Sequence, residues 1–250
     1  MIKIILIGCN GYMGCVVTDM VADDPTVSII AGVDTDTKKQ NDYPVYTTPD
    51  NIIEKADVIL DFSNPSALEG ILKYALSTKT PVILCATGYT SEQLARIEKA
   101  SKQIPIFRSG NMSLGINLLA DLIQRACDVL GEDFDVEIVE RHHRRKVDAP
   151  SGTAIMLADA VASAMVGKPE LIFERESRRK PRSSNEIGIS AVRGGTIVGI
   201  HDVIFAGENE VIELRHTASS RDVFASGALK AIKYMQGKQP GMYDMKDVLS

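Results

Sequence analysis

The chain has 250 residues, of which 44% are hydrophobic and 24% charged, so it can bury a substantial core and has room for two modest domains. Its formal net charge of −5 argues against a surface built throughout for nucleic acid or anionic membrane, although it allows a local basic site. The first apolar run is short for a signal peptide and no run of about 18 apolar residues occurs, so we expect cytoplasmic residence.

The amino-terminal part of the chain alternates short apolar strands with helices. Strands are predicted at residues 4–7, 27–33, 58–60, 82–84 and 104–107. Helices are predicted from residue 13, over 67–76 and after Thr90, where Gln93 completes a capping box. Near-continuous apolar strands separated by helices are typical of a parallel sheet covered on both faces. Roughly the first 110 residues are therefore predicted to form a doubly wound α/β domain of the Rossmann type.

Three glycines, Gly8, Gly11 and Gly14, stand between the first predicted strand and the first predicted helix. Without side chains at these positions, backbone N–H groups can approach a pyrophosphate at the helix N-terminus. Asp34 ends the second strand, where a carboxylate can accept hydrogen bonds from ribose hydroxyls. The pattern favours dinucleotide binding over its alternative, a glycine-rich turn beside a surface aspartate.

The choice between NADH and NADPH stays open, with NADH slightly favoured. The Asp34 carboxylate repels a 2′-phosphate, whereas Lys38 and Lys39 attract one. Ligands of open parallel sheets bind outside the carboxyl ends of the strands. Residues 61–63, 85–88 and 109–112, which directly follow predicted strands, are therefore expected to face the cofactor.

Beyond residue 111 the pattern predicts a second, α+β domain with an open mixed or antiparallel sheet. Its elements are a helix at 116–130, a half-buried strand from Val136, a helix at about 153–166, a charged and mobile segment at 174–186, and strands at 192–205 and 211–216. The turn between the last two strands indicates a hairpin. A final helix is predicted to end near Gly237.

Residues 141–146 are six consecutive basic residues, and a Ser-Gly-Thr turn at 151–153 opens the next predicted helix. Imidazoles titrate near neutral pH and helix N-termini bind anions, so the segment suits proton transfer beside an anionic ligand. Three interpretations compete: a carboxylate pocket with a general acid, a phosphate-binding patch for nucleic acid, and a solvated basic loop. The helix start and the absence of Trp for base stacking favour the first.

The remaining titratable residues carry no predicted chemistry. His201 and His216 occur singly on predicted strands and are interpreted as structural. The four cysteines form no CxxC pair and are expected to be free thiols. No spacing of histidines and carboxylates predicts a metal site.

The segment from Glu140 to Thr153 resembles the signature of the 4-hydroxy-tetrahydrodipicolinate reductases, long called dihydrodipicolinate reductases. The resemblance extends over essentially the whole chain and includes the glycine turn and residues 61–63, 86–88, 111–113, 192–195 and 216–221. It implies reduction of a cyclic, conjugated imine dicarboxylate by NADH or NADPH in the diaminopimelate route to lysine. It also implies a homotetramer formed through the second domain's sheet.

The resemblance assigns roles by position. It implies that His142 is the proton donor or acceptor, that Lys146 is a second proton donor, and that the substrate carboxylates bind His143, Ser151, Gly152 and Thr153. It implies cofactor contacts at Gly8, Cys9, Asn10, Gly11, Tyr12, Met13, Asp34, Cys85, Ala86, Thr87, Ser109, Gly110, Asn111 and Met112.

Residues 1–113 and 217–250 are thus predicted to be the dinucleotide-binding domain and 114–216 the substrate-binding and oligomerisation domain, with catalysis in the cleft between them. Because Arg141, Arg144, Arg145 and Lys146 surround it in sequence, His142 is expected to be largely neutral in the empty enzyme.

The sequence departs from the family at Cys85-Ala86, where Gly-Thr is common, and at Thr35, where some members have an arginine. The alternatives are another two-domain dehydrogenase and a non-catalytic dinucleotide sensor or nucleic-acid binder.

Overall fold

The computed structural model describes residues 1–249, which form two compact units. The first unit comprises Met1–Leu114 and the residues from Arg221 onward, and the second comprises Gly115–Ser220. The predicted fold class is confirmed: the chain has one seven-stranded sheet that is parallel throughout and one separate five-stranded mixed sheet. Within residues 1–249, no helix is long and apolar enough to cross a membrane.

The described residues contain twelve strands and seven α-helices. The strands are β1 (Ile2–Ile7), β2 (Val27–Val33), β3 (Val45–Tyr46), β4 (Val58–Asp61), β5 (Val82–Leu84), β6 (Pro105–Arg108), β7 (Asp135–His142), β8 (Glu170–Ile172), β9 (Glu186–Arg193), β10 (Gly199–Ala206), β11 (Val211–Ala218) and β12 (Gly241–Tyr243). The helices are α1 (Tyr12–Ala22), α2 (Leu68–Thr78), α3 (Ser91–Ser101), α4 (Leu114–Leu130), α5 (Gly152–Ala164), α6 (Asp222–Tyr234) and α7 (Met245–Leu249).

In the first unit the strand order is β12-β6-β5-β4-β1-β2-β3, so the chain reverses direction across the sheet between β1 and β4. Ile4 and Leu6 of β1 pack with α1, α6 and α7 on one face of this sheet. Ile5 and Ile7 pack with α2 and α3 on the other face. The continuous apolar run of β1 therefore serves two hydrophobic cores, and its carboxyl end opens at the point where ligands of such sheets bind.

The second unit is arranged around β7. Its strand order is β11-β10-β7-β9-β8, with β10 antiparallel and β9 parallel to β7. The predicted hairpin is present as β10 and β11. The predicted single strand at 192–205 is wrong, because it consists of the end of β9, a turn and most of β10. Gly195 adopts a φ of +48° in that turn, a conformation that favours glycine, and the reversal places β9 and β10 on opposite sides of β7.

The side chains of β7 alternate between two environments, as the sequence predicts for a half-buried strand. Val136, Ile138, Glu140 and His142 are buried, whereas the residues between them are partly exposed. The glutamate and the histidine thus point to the face that packs on α4 and α5, not to the more solvated face.

The charged segment 174–186, which we expected to be mobile, is tied to the second sheet by ion pairs. Arg175 contacts Glu137 and Glu186 at 2.6 Å each, and Arg178 contacts Glu170 at 2.5 Å. Glu186 is itself the first residue of β9, a position the charge pattern does not reveal.

Candidate active site

The glycine turn leaves no space for side chains. A Cβ on Gly14 would lie 2.1 Å from the carbonyl oxygen of Gly8, and one on Gly8 would lie 3.0 Å from the backbone of Phe62. Gly8 also has a φ of +78°. Gly11 is the N-cap of α1 and offers no side-chain acceptor to the first N–H groups of that helix. The N–H groups of Gly8, Cys9, Asn10 and Gly11 are bonded within the protein, whereas those that begin α1 have no side-chain cap. The residues present therefore fit a dinucleotide whose pyrophosphate would bind at the start of this helix.

Asp34 is joined to this turn by hydrogen bonds. Its Oδ2 accepts from the backbone N–H of Asn10 at 2.9 Å, and its Oδ1 accepts from that of Asp36 at 3.0 Å. The Lys39 ammonium lies 3.0 Å from the Cys15 sulfur, and this contact raises the pKa of the lysine. The structure thus brings the predicted ribose-binding carboxylate and one of the two predicted phosphate-attracting lysines to the start of α1.

The loops after β4, β5 and β6 follow one another at the same edge of the sheet. The N–H of Cys85 donates to the carbonyl of Asp61, and the N–H of Ser109 donates to that of Leu84. Asp61 is fully buried, and this burial raises the pKa of its carboxyl despite hydrogen bonds from Ser63. Each of the three segments predicted to face the cofactor thus lies at the carboxyl edge of the first unit's sheet.

The residues predicted to contact the cofactor differ in their exposure to solvent. Ala86, Asn111 and Met112 are buried, whereas Thr87 and Tyr12 are exposed. The guanidinium of Arg221, which the sequence does not single out, lies 4.7 Å from the centre of the Tyr12 ring and brings a cation to the first residue of α1.

Strand alternation divides the basic run of the second unit. Arg141 lies on the opposite side of β7 from His142 and pairs with Asp202 at 2.8 Å, and Arg215 pairs with the same carboxylate. Arg144 and Arg145 are exposed in the turn that follows β7. The six basic residues therefore do not form one patch, contrary to what their adjacency in sequence suggests.

A buried carboxylate holds the imidazole of His142. Glu140 Oε2 lies 2.6 Å from His142 Nδ1, and the side chain of Glu140 has no exposed surface. Arg193 reaches across from β9 and binds both carboxylate oxygens, at 2.7 and 2.8 Å. The remaining contact is the N–H of Ser151, which donates to Oε1 at 3.0 Å.

The pKa of His142 is lowered, as expected, but for a different reason. Burial is the main cause, with Lys146 and Arg193 adding to it and Glu140 opposing it. Burial by itself raises the pKa of Glu140, but Arg193 and His142 outweigh that effect, so this pKa is lowered. The site therefore combines an ionised carboxylate with an imidazole that is easily deprotonated.

His201 belongs to the same cluster, although its sequence context suggests a purely structural histidine. Its ring lies edge-on to that of His142, with the ring centres 5.2 Å apart. Its Nε2 is 3.1 Å from Ser151 Oγ, which also accepts from the N–H of Ala154 and caps α5. Burial is the first cause that lowers the pKa of His201, to about 4, so this imidazole is neutral at physiological pH.

Lys146 and His143 lie in the turn between β7 and α5. The N–H of Lys146 donates to the carbonyl of His143, and its ammonium pairs with Asp148 at 2.9 Å. His143 Nδ1 is buried and has no hydrogen-bond partner among residues 1–249. A Cβ on Gly152, at the first turn of α5, would meet no atom within 4 Å, so the helix start has open space beside it.

Sequence reasoning gave no role to Glu140 or Arg193. An acid at the third inward position of a strand, after Val136 and Ile138, is the signal that could have revealed Glu140, because a buried carboxylate needs a partner. Nothing near Arg193 in sequence identifies that partner. Within residues 1–249, no cluster of three or more histidines, cysteines and carboxylates could hold a metal ion.

Comparison with family models gives two matches that together span nearly the whole chain. Residues 2–112 match the model described as dihydrodipicolinate reductase, N-terminus. Residues 115–249 match the model described as dihydrodipicolinate reductase, C-terminus.

Curated relatives and solved structures agree with these matches. The chain is 51% identical to the 4-hydroxy-tetrahydrodipicolinate reductases of Caldanaerobacter subterraneus subsp. tengcongensis and Clostridium perfringens strain ATCC 13124, covering 100% of this chain and 98% of each relative. The dipicolinate-bound dihydrodipicolinate reductase of Paenisporosarcina sp. TG-14 shares its fold, with a TM-score of 0.83, 24% identity and 100% coverage of both chains. A probable dehydrogenase from Thermotoga maritima superposes with a TM-score of 0.66 at 12% identity, over 98% of this chain and 92% of that one.

Proposed function

The chain belongs to the dihydrodipicolinate reductase family, and we propose that it is a 4-hydroxy-tetrahydrodipicolinate reductase in which His142 is the proton donor. The enzyme is an oxidoreductase of the diaminopimelate pathway to lysine and reduces its substrate, through the conjugated cyclic imine, to tetrahydrodipicolinate. The observation that carries the assignment of the site is the buried pair of Glu140 and His142, next to the capped start of α5.

His142 is suited to give a proton to an anionic ring. Glu140 occupies Nδ1, so Nε2 is the nitrogen available to a ligand. Hydride addition places negative charge on the conjugated system, and a protonated imidazole completes the reaction by donating a proton. Burial and nearby cations keep His142 neutral in the free enzyme, and the arrival of a dianionic substrate favours its protonation.

The substrate carboxylates bind around the start of α5. The N–H groups of Gly152 and Thr153 lie at the positive end of that helix, which is open to a ligand at Gly152. His143 has a buried nitrogen that no group of residues 1–249 pairs with, and Lys146 adds a positive charge as the second proton donor. Ser151 caps the helix and so orients these donors. The dipicolinate bound to the relative from Paenisporosarcina is itself a small dicarboxylate, which is consistent with this role.

The first unit binds the nicotinamide cofactor, which supplies the hydride. The glycine turn from Gly8 to Met13 holds the pyrophosphate, and Asp34 accepts hydrogen bonds from the adenosine ribose. The loops at residues 85–87 and 109–112 complete the site at the edge of the sheet. NADH is slightly favoured because Asp34 lies at the turn, although Lys39 leaves NADPH as a usable second cofactor.

The same family membership supports two further proposals. We infer a homotetramer formed through the sheet of the second unit, because the partly exposed face of β7 carries paired charges that a second copy could cover. We also infer that the enzyme works in the cytoplasm, where its four free cysteines stay reduced.

The reductase assignment is tested by following NADH and NADPH oxidation while the synthase of the pathway generates the substrate in the same cuvette. Turnover by the wild type is expected, with kcat lowered by about 10²–10⁴-fold in His142→Gln and clearly lowered in Lys146→Ala. Arg145→Ala is the matched control, because it removes a cation of the same basic run that is exposed to solvent in the turn after β7. Tight cofactor binding without turnover would instead identify a dinucleotide sensor.

A further inference from the structure

The carboxylate of Glu140 is saturated with hydrogen-bond donors. His142 and Arg193 contact Oε2 at 2.6 and 2.8 Å, and Ser151 and Arg193 contact Oε1 at 3.0 and 2.7 Å. A carboxylate has about four acceptor positions, so these contacts use all of them. The fork of Arg193 matches an ionised carboxylate, which accepts at both oxygens and donates at neither.

An ionised Glu140 determines which nitrogen of His142 carries hydrogen. Because the carboxylate only accepts, Nδ1 must donate, and neutral His142 must keep its lone pair on Nε2. Proton gain and loss therefore take place at Nε2. Gly199 lies next to this atom: a Cβ there would be 3.2 Å from Nε2, a tight contact, so the missing side chain preserves space around it.

The same carboxylate also fixes the substrate-binding helix. Ser151, whose N–H binds Glu140, is the N-cap of α5, and its hydroxyl both caps the helix and contacts His201. Arg193 additionally donates to the carbonyl of Asp148 at 2.6 Å, within the loop that leads to this helix. Glu140 and Arg193 thus fix the position of the imidazole relative to the start of the proposed anion-binding helix.

We propose that Glu140, clamped by Arg193, is a positioning residue that holds His142 in the tautomer with hydrogen on Nδ1 and so makes Nε2 the atom that delivers the proton. The inference rests on the proposed reductase function for its kinetic consequence, but its structural part concerns the ligand-free protein. Arg193 is also a positioning residue, and it acts on His142 through Glu140.

Loss of the Glu140 charge changes the balance around His142 in a known direction. The charged or titratable groups that face this imidazole are Glu140 from its own strand, Arg193 from β9, His201 from β10 and Lys146 from the following turn. Glu140 is the one anion among these four, and it alone raises the pKa of His142. Its neutralisation therefore lowers that pKa further, and the protonated donor is lost at a lower pH.

The test is the Glu140→Gln variant. A glutamine has one acceptor oxygen, so it cannot accept from both His142 and Ser151, and its NH₂ group favours the opposite histidine tautomer where it faces Nδ1. We expect kcat to fall on the order of 10²-fold. We also expect the pH above which kcat declines to shift downward and nucleotide affinity to stay unchanged. In ¹⁵N NMR of labelled histidine, the wild type is expected to show Nδ1–H for His142, whereas the variant loses that signature.

Glu137→Gln is the matched control. It removes a carboxylate from the same strand that is also paired with an arginine, Arg175, but Glu137 lies on the opposite side of β7. The kcat–pH profile and the His142 signals of this control should match those of the wild type.

The outcomes separate this inference from the reductase assignment. An Nδ1–H signal in a wild type that shows no turnover would refute the reductase but support the positioning role. A wild type with hydrogen on Nε2, or an active enzyme whose kcat–pH profile is unchanged in Glu140→Gln, would overturn the inference. If that variant does not fold, Arg193→Lys replaces it, since it keeps the charge but loses the fork. Arg193→Lys should lower kcat with a smaller downward shift of the profile, and a wild-type profile would again overturn the inference.

Discussion

The glycine turn of the first unit and the β7–α5 region of the second unit are built in opposite ways for the anions that we propose they bind. In the first, side chains are excluded: Gly14 packs so closely on Gly8 that the backbone itself forms the site. In the second, side chains form the site: the buried Glu140 and His142 and the partly buried Arg193 make a connected hydrogen-bonded network. The first site should therefore be sensitive to added volume and insensitive to protons, whereas the second should respond strongly to both charge and pH.

The largest effect is expected from one added methyl group in the backbone-built site. In Gly14→Ala the new Cβ would lie 2.1 Å from Gly8 O and 2.6 Å from Cys9 O. Because both neighbours are backbone atoms, we expect a loss of about 3 kcal/mol or more in the free energy of unfolding, and loss of nucleotide binding. Thermal melting and titration with NADH measure the two effects.

Gly70→Ala is the control for this substitution. It adds the same group in α2 of the same unit, where the nearest atom is 3.7 Å away. The change should leave nucleotide affinity intact and stabilise the helix by up to about 1 kcal/mol. Equal behaviour of the two alanine variants would show that the glycine turn is not closely packed.

A second prediction concerns the pH dependence of stability that His201 causes in the β7–α5 region. His201 has a pKa of about 4 when folded against an ordinary value of 6.5, so between these pH values the unfolded chain binds a proton that the folded chain does not. The free energy of unfolding is therefore unaffected by the titration of this residue above pH 6.5. It falls by roughly 3 kcal/mol as the pH decreases towards 4.

Urea unfolding of His201→Gln at about pH 4.5 and pH 7 checks this slope. The variant should show a smaller difference between the two pH values than the wild type. Part of the slope should remain, because the pKa of His142 and that of His216 are lowered as well. An unchanged slope would mean that His201 is not the buried neutral imidazole of this cluster.

A third prediction concerns His142, the proposed proton donor. Burial lowers the pKa of His142 in the free enzyme, and a bound dianion raises it, so kcat should decline at a higher pH than kcat/KM does. Both parameters decline with rising pH because the reaction needs a protonated donor, whose population falls as the pH rises through its pKa. Superimposable pH profiles for the two parameters would count against His142 as the donor.

The smallest effect is expected at the cofactor-preference position. Lys39→Ala should raise KM for NADPH by a factor of about 2 to 5, because an exposed ion pair contributes about 0.2–1 kcal/mol, and should leave KM for NADH unchanged. Lys38→Ala is the matched control, since its exposed side chain lacks the sulfur contact that places Lys39 beside α1. Equal increases for both variants would assign the preference to net charge and not to one lysine.

Much of the first unit follows from local sequence. Its strands are apolar throughout and its helices amphipathic, so their order alone implies a parallel sheet with a ligand edge, and the glycine spacing marks the turn. Two short strands were missed: β3 has two residues and β12 has three, too few to show a period. The resemblance of the basic signature predicted roles for His142 and Lys146, which stay predictions, but adjacency in sequence wrongly grouped Arg141 with them.

What the sequence alone determined is the class of the fold, the glycine turn and the segment that contains the proposed proton donor, because each depends on residues close together along the chain. The partners of that donor were decided by the tertiary structure. Arg193 meets Glu140 only because β9 pairs with β7, and His201 meets His142 only because β10 pairs with its other edge. A buried carboxylate must be satisfied by donors, but which strand supplies them depends on the sheet order, a long-range property that no local pattern encodes.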